Sequence, residues 1–215
     1  MISETFQDMQ IRSPSRLYAL LLVSATTAFA DTAVAPPAWP ALKDAPVTLA
    51  ADPVRPLLMG SLRITLDGST LADTRTAIGA GVSQRQGKGT DALDWLCYTV
   101  SDSIPMQRLW LTSSELSRGR IDAVVAADLA AGSAPLPQCP ELPARFKPVR
   151  FDDGLWLGGM SGELRKSLGI PAKVGPHFSS LFQGQAGNLT MVSSTVIEFR
   201  AGRAVSLHVA HSSQN

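Results

Sequence analysis

Two stretches of this chain carry the same order of structural signals, and this repetition constrains the fold more than any other feature. Residues 64–126 and 155–210 each read as a short strand, a one-faced helix closed by glycine, and then a β-meander. The last part aligns without a gap. Glu115-Leu116-Ser117-Arg118-Gly119-Arg120 sits over Glu198-Phe199-Arg200-Ala201-Gly202-Arg203. Self-similarity of this kind marks a supersecondary unit that has been copied. The predicted fold class is therefore α+β, with two tandem repeats, each a short helix packed on one face of a three- to four-stranded antiparallel sheet.

The local signals within each repeat are specific. Leu62, Ile64 and Leu66 alternate with Arg63 and Thr65, as a half-buried strand requires. Thr70 and Asp73 have the spacing of a capping box. Leu71, Thr74 and Ile78 then share one helical face, and Gly79 fits the left-handed position that ends a helix. Residues 81–91 are polar and Gly-rich, hence a loop, and three strands are predicted over Trp95–Val100, Met106–Thr112 and Arg120–Ala126. In the second repeat, Leu155–Leu157 reads as a strand and Ser161 as the cap of a helix whose buried face is Met160, Leu164 and Leu168. Gly169 ends that helix and Pro171 prevents its continuation. Residues 175–187 read as a loop, and strands follow over Leu189–Ser193, Thr195–Phe199 and Arg203–His211. In the last of these, Val205, Leu207 and Val209 are expected to face the core, with Ser206 and His208 facing outward. The expected organisation is a signal peptide (1–30), a Pro/Ala-rich leader (31–58), the first repeat (59–129), a Pro-rich linker (130–148) and the second repeat (149–215).

The N-terminus reads as an export signal. Arg12 and Arg16 precede the apolar run Leu17–Val23, and Ala28-Phe29-Ala30 is a small-residue processing site. The apolar stretch is about fourteen residues, where spanning a membrane needs roughly twenty. Starting at Met9 instead of Met1 would remove Glu4 and Asp8 from the signal. No cysteine follows the cleavage site, so no lipid anchor of the bacterial type is indicated. The expected location is periplasmic or secreted. A net charge of +1 with no basic block argues against nucleic acid as the main partner. The two cysteines, Cys97 and Cys139, are expected to form one disulfide in an oxidising compartment. It would close a loop of about 40 residues, worth roughly 4 kcal/mol on the chain-entropy model. Two buried thiols, or a reactive pair, are the rival readings.

Leu157-Gly158-Gly159-Met160-Ser161, followed by Leu168-Gly169-Ile170-Pro171, resembles the helical part of the small lipoprotein of the outer-membrane β-barrel assembly machinery. Phe199-Arg200-Ala201-Gly202-Arg203-Ala204-Val205 resembles its closing hairpin, and Trp95-Leu96-Cys97-Tyr98 a strand with its W-x-Y element. A tandem of such units is similar in plan to the secreted β-lactamase-inhibitor proteins. The resemblance implies helices on one face of an antiparallel sheet.

Catalytic and metal signatures are weak. His208 and His211, three apart on a predicted strand, point to opposite faces, and His177 lies in a distant loop. Gly159-Met160-Ser161-Gly162 lacks the final glycine of a nucleophile elbow. Gly81 to Lys88 lacks the spacing of a phosphate loop. Asp152-Asp153-Gly154 lacks the alternating ligands of a calcium loop. No metal and no cofactor is predicted. Trp110 and Trp156, in or beside strands, are either core residues or anchors for a partner. The expected function is that of an exported, non-enzymatic envelope protein that binds another protein. The alternative is a small secreted hydrolase using Asp152, Asp153, Glu163, Ser161 or His177.

Overall fold

The computed structural model describes residues 34–38, 46–171 and 175–214. The predicted signal peptide, Trp39 and the rest of the leader up to residue 45 lie outside the described residues. The strands are β1 (Val47–Thr48), β2 (Leu57–Met59), β3 (Leu62–Ile64), β4 (Gln84–Gln86), β5 (Leu93–Val100), β6 (Gln107–Ser114), β7 (Ala123–Asp128), β8 (Val149–Phe151), β9 (His177–Ala186), β10 (Leu189–Arg200) and β11 (Arg203–Gln214). The helices α1 (Leu71–Ile78) and α2 (Gly162–Ser167) are short.

Strand accounts for 44% of the structure and helix for 14%. This overturns the predicted pair of helix-on-sheet repeats. One sheet of eight strands runs β1-β9-β10-β11-β7-β6-β5-β4, and a second of three strands runs β3-β2-β8. The two meanders do not form separate sheets because β11 pairs antiparallel with β7, from Ser206↔Ala127 to Ala210↔Ala123. A meander left alone would present a row of unpaired N–H and C=O groups along that edge. Joining the meanders satisfies both edges at once. The Arg203 guanidinium adds an ion pair to Asp128 across the junction at 3.2 Å.

Four further expectations are corrected. The loop predicted around His177 is the strand β9, and the two strands predicted over Leu189–Ser193 and Thr195–Phe199 are one strand, β10. Leu155–Leu157 is not a strand. The chain turns back at Asp152-Asp153-Gly154, where Gly154 N–H donates to the Phe151 carbonyl, and the strand forms earlier, over Val149–Phe151. The polar loop predicted over residues 81–91 contains the edge strand β4, whose Arg85 pairs with Asp94 on β5 and with Glu115. Three residues are too few to show a period of two, so sequence pattern alone does not reveal such a strand.

Pleating gives the large sheet two different faces. On the first, cross-strand neighbours Phe178, Ile197, Leu207, Ala126, Leu109 and Tyr98 form an unbroken apolar row. This row packs under Leu71 and Ile78 of α1, Leu164 of α2, and Leu57, Met59 and Phe151 of the small sheet. The small sheet thus shares the covering role that the sequence assigned to helices alone.

The helix ends form as their sequences dictate. Thr70 Oγ1 accepts from Asp73 N–H at 3.0 Å and donates to the Asp73 carboxylate at 2.8 Å. Gly79 takes φ +73° beyond the last turn. Replacing Thr70 by alanine is expected to lower stability by about 1 kcal/mol. Urea denaturation checks this, and an unchanged midpoint would show that the cap contributes nothing.

Candidate functional site

The second face of the large sheet mixes small and polar side chains with two tryptophans. One register row crosses it through Ser194, Ala210, Ala123, Thr112, Trp95 and Gln84. The next runs Val196, His208, Val125, Trp110 and Cys97. Both rows span both meanders, so the face is a single surface. At its β5–β6 end lies a small second core of Trp95, Trp110, Val125 and the disulfide Cys97–Cys139. Both cysteines are fully buried. The disulfide draws the Pro-rich segment after β7 against β5. There Thr99 N–H donates to the Pro140 carbonyl, and Leu142 N–H donates to the Thr99 carbonyl, each at 2.8 Å.

The leader is seated on this core. The indole N–H groups of Trp95 and Trp110 both donate to the Val34 carbonyl, each at 3.0 Å. Val34 N–H donates to Gln84 Oε1 at 2.8 Å, while Gln84 Nε2 donates to the Gln138 carbonyl at 2.9 Å. That second bond fixes which end of the Gln84 amide faces Val34. The Cys97–Cys139 bond in turn places the segment that carries Gln138. Three side chains therefore read the backbone N–H and C=O of one residue.

Beyond Val34, Ala35–Ala38 borders a groove of about 1250 Å³, whose floor includes Ser194, Ala210 and His208. A second groove, of about 680 Å³, lies towards Asp128 and Arg203. Pro37, Ala38 and His208 line both.

His208, predicted to face outward, is buried on this second face at 2% exposure. Burial pushes its imidazole pKa down to about 4, from an ordinary 6.5, because desolvation disfavours the charged ring. The unfolded chain therefore binds the proton first. Stability should fall as pH drops from 6.5 towards 4, by on the order of 3 kcal/mol. Thermal unfolding of the wild type and of His208→Gln across that window tests this. Parallel pH profiles would refute it.

The other candidates disperse. Ser161 Oγ accepts from Leu164 N–H and caps α2. His177 faces Glu198 across β9 and β10 at 3.8 Å. Asp152 pairs with Arg63, Asp153 accepts from Leu155 N–H, and Glu163 lies in the first turn of α2. Trp110 belongs to the seat of Val34. Trp156 packs against the main core on the other side, with its indole N–H donating to Gln107 Oε1 at 2.9 Å. Among the described residues, no group of three or more His, Cys, Asp or Glu side chains is placed to hold a metal ion.

Sequence reasoning missed Gln84 and Val34, and did not single out Trp95. The alternation Trp95-x-Cys97 on a predicted strand puts those two side chains on one face, which was a usable signal. Nothing local marks Val34. A further cluster, Asp52, Ser193 and His211, was also missed. Ser193 Oγ donates to Asp52 Oδ1 at 2.8 Å and lies 2.8 Å from His211 Nδ1. His211 Nδ1 is also the nitrogen nearest Asp52, at 3.4 Å. A hydrolytic relay needs the serine and the carboxylate on opposite ring nitrogens. Here they share one, and Ser193 is fully buried. The cluster ties the turn after β1 to β10 and β11.

No protein-family model, no curated protein and no solved structure matches this chain. Among the described residues, no helix is long and apolar enough to cross a membrane.

Proposed function

We propose that this is an exported, non-enzymatic protein of the bacterial envelope that binds a protein partner on the second face of its large sheet. The carrying observation is the seat of Val34, where a built set of donors and an acceptor already holds a peptide segment on that face. The grooves beside the seat add room, and their small floor residues let a backbone approach closely. The disulfide supports an extracytoplasmic setting, since such bonds persist in oxidising compartments. The signal read at Arg12–Ala30 supports export.

A photo-crosslinking amino acid at Ser194 tests this in envelope preparations. A discrete protein adduct is expected, and Ala210→Arg, which places a long cation in the groove floor, should abolish it while leaving the circular dichroism spectrum unchanged. An adduct indifferent to Ala210→Arg, or no adduct, would overturn the proposal.

A further inference from the structure

The seat of Val34 is made from the body of the fold. Trp95 is fully buried, and Trp110 and Gln84 are 4% and 8% exposed. By contrast, the segment they hold is slight. Ala35, Pro37 and Ala38 are exposed, and the three hydrogen bonds all fall on Val34. A permanent structural strand would be paired along its length. Among the described residues, the hydrogen bonds of this segment fall on Val34 alone.

The chemistry of the hold is general. It reads backbone groups and a β-branched apolar side chain. The residues that follow include Pro36 and Pro37, which bring no N–H groups to be buried and whose fixed φ lowers the ordering cost on docking. Indole N–H groups donating to the carbonyls of an extended proline-containing chain are a natural way to recognise such a segment. The position matters as well. The two grooves meet at Pro37, Ala38 and His208, so the leader stands between them.

We propose that Val34–Ala38 is a resident competitor. The seat beneath it is a docking site for an extended segment of a partner protein with an apolar β-branched residue followed by prolines, and the chain's own leader occupies the site until the partner displaces it. This rests on the reading of the second face as a binding surface and adds both the partner's chemistry and its regulation. A guest of this kind takes the three hydrogen bonds of Val34 and runs on into the space the leader divides.

The test uses a fluorescein-labelled peptide with the sequence of residues 31–38, added to the full chain and read by fluorescence anisotropy. Val34→Asp weakens the resident segment by putting a charge where its half-buried side chain packs on the second core, and Val34→Pro removes its N–H donor as an independent route. Both variants are expected to bind the peptide at least about tenfold more tightly than the wild type. Adding Trp110→Phe, which removes one donor, should reverse that gain, as should alanine in place of both prolines in the peptide. Equal affinity for wild type and both Val34 variants would overturn the proposal. So would a gain that Trp110→Phe leaves intact, or concentration-dependent dimers of the wild type in place of peptide binding, which would mean that the segment serves a second copy. The Ser194 crosslink separates the two readings. Its yield should rise in Val34→Asp. Persistence at unchanged yield, with no peptide binding, sinks the resident competitor and spares the partner surface. Loss of the crosslink sinks both.

Discussion

Replacing Cys97 and Cys139 together by alanine should lower the unfolding free energy by about 4 kcal/mol, the chain-entropy value for a loop of this length. The two positions are 42 residues apart, and the loop they close contains β6 and β7. Without the bond, the unfolded chain gains the freedom of that whole loop, while the folded chain keeps its sheet. The hydrogen bonds from Thr99 to the Pro140 segment are not enough to compensate. Each is worth about 1 kcal/mol net, and in the folded state they compete with water once the segment loosens. Guanidinium denaturation measures the loss, and adding reductant to the wild type should bring its midpoint close to that of the double variant. A loss under about 1 kcal/mol would instead mean that Leu142 and Phe146, buried in the main core, hold the segment unaided, since apolar side chains of that size each contribute more than this.

Leu207→Ala is expected to cost about 3 to 5 kcal/mol, the range for a leucine deleted from a core that cannot collapse around the gap. Leu207 is fully buried between Ile197 and Ala126, at the junction of the two meanders. Its neighbours are held in place by strand pairing on both sides and cannot close in. The way the loss appears matters as much as its size. β11 of the second meander pairs with β7 of the first, so the chain should still unfold in one step, with Trp fluorescence and far-UV circular dichroism superimposed. Trp95 and Trp110 sit in the first meander, and in a background with Trp39 and Trp156 replaced by phenylalanine the fluorescence reports on it alone. If their signal held while the dichroism fell at lower denaturant, the halves would be independent units and the shared sheet would not be the source of cooperativity.

The local part of this fold was legible, and the global part was not. Thr70 with Asp73, and Ser161, cap their helices because a side-chain oxygen within three residues of an unpaired N–H needs no tertiary help. The strands β5, β6, β7 and β11 were readable as β-type apolar runs, whereas β9 fell in a stretch read as a loop and β10 was read as two strands. The error lay in what became of the edges. Nothing in β7 or β11 states that the two are neighbours. That pairing follows from the need to satisfy edges, which is a property of the whole chain. His208 misled for a related reason. Alternation correctly put it opposite Leu207 and Val209, but the far face of the sheet is buried there too. Val34 was illegible because its importance comes entirely from Trp95, Trp110 and Gln84, more than 45 residues away along the chain.

The ends of the large sheet have a consequence for how copies of this chain meet. At one end stands β4, three residues long, with Arg85 held between two carboxylates. At the other, β1 lies parallel against Ser180 and Leu181, partway along β9. An incoming strand needs a long uninterrupted row of backbone groups, and short, charged or interrupted margins deny it one. At these two places a strand from another copy therefore meets a margin that is too short, too charged or already occupied.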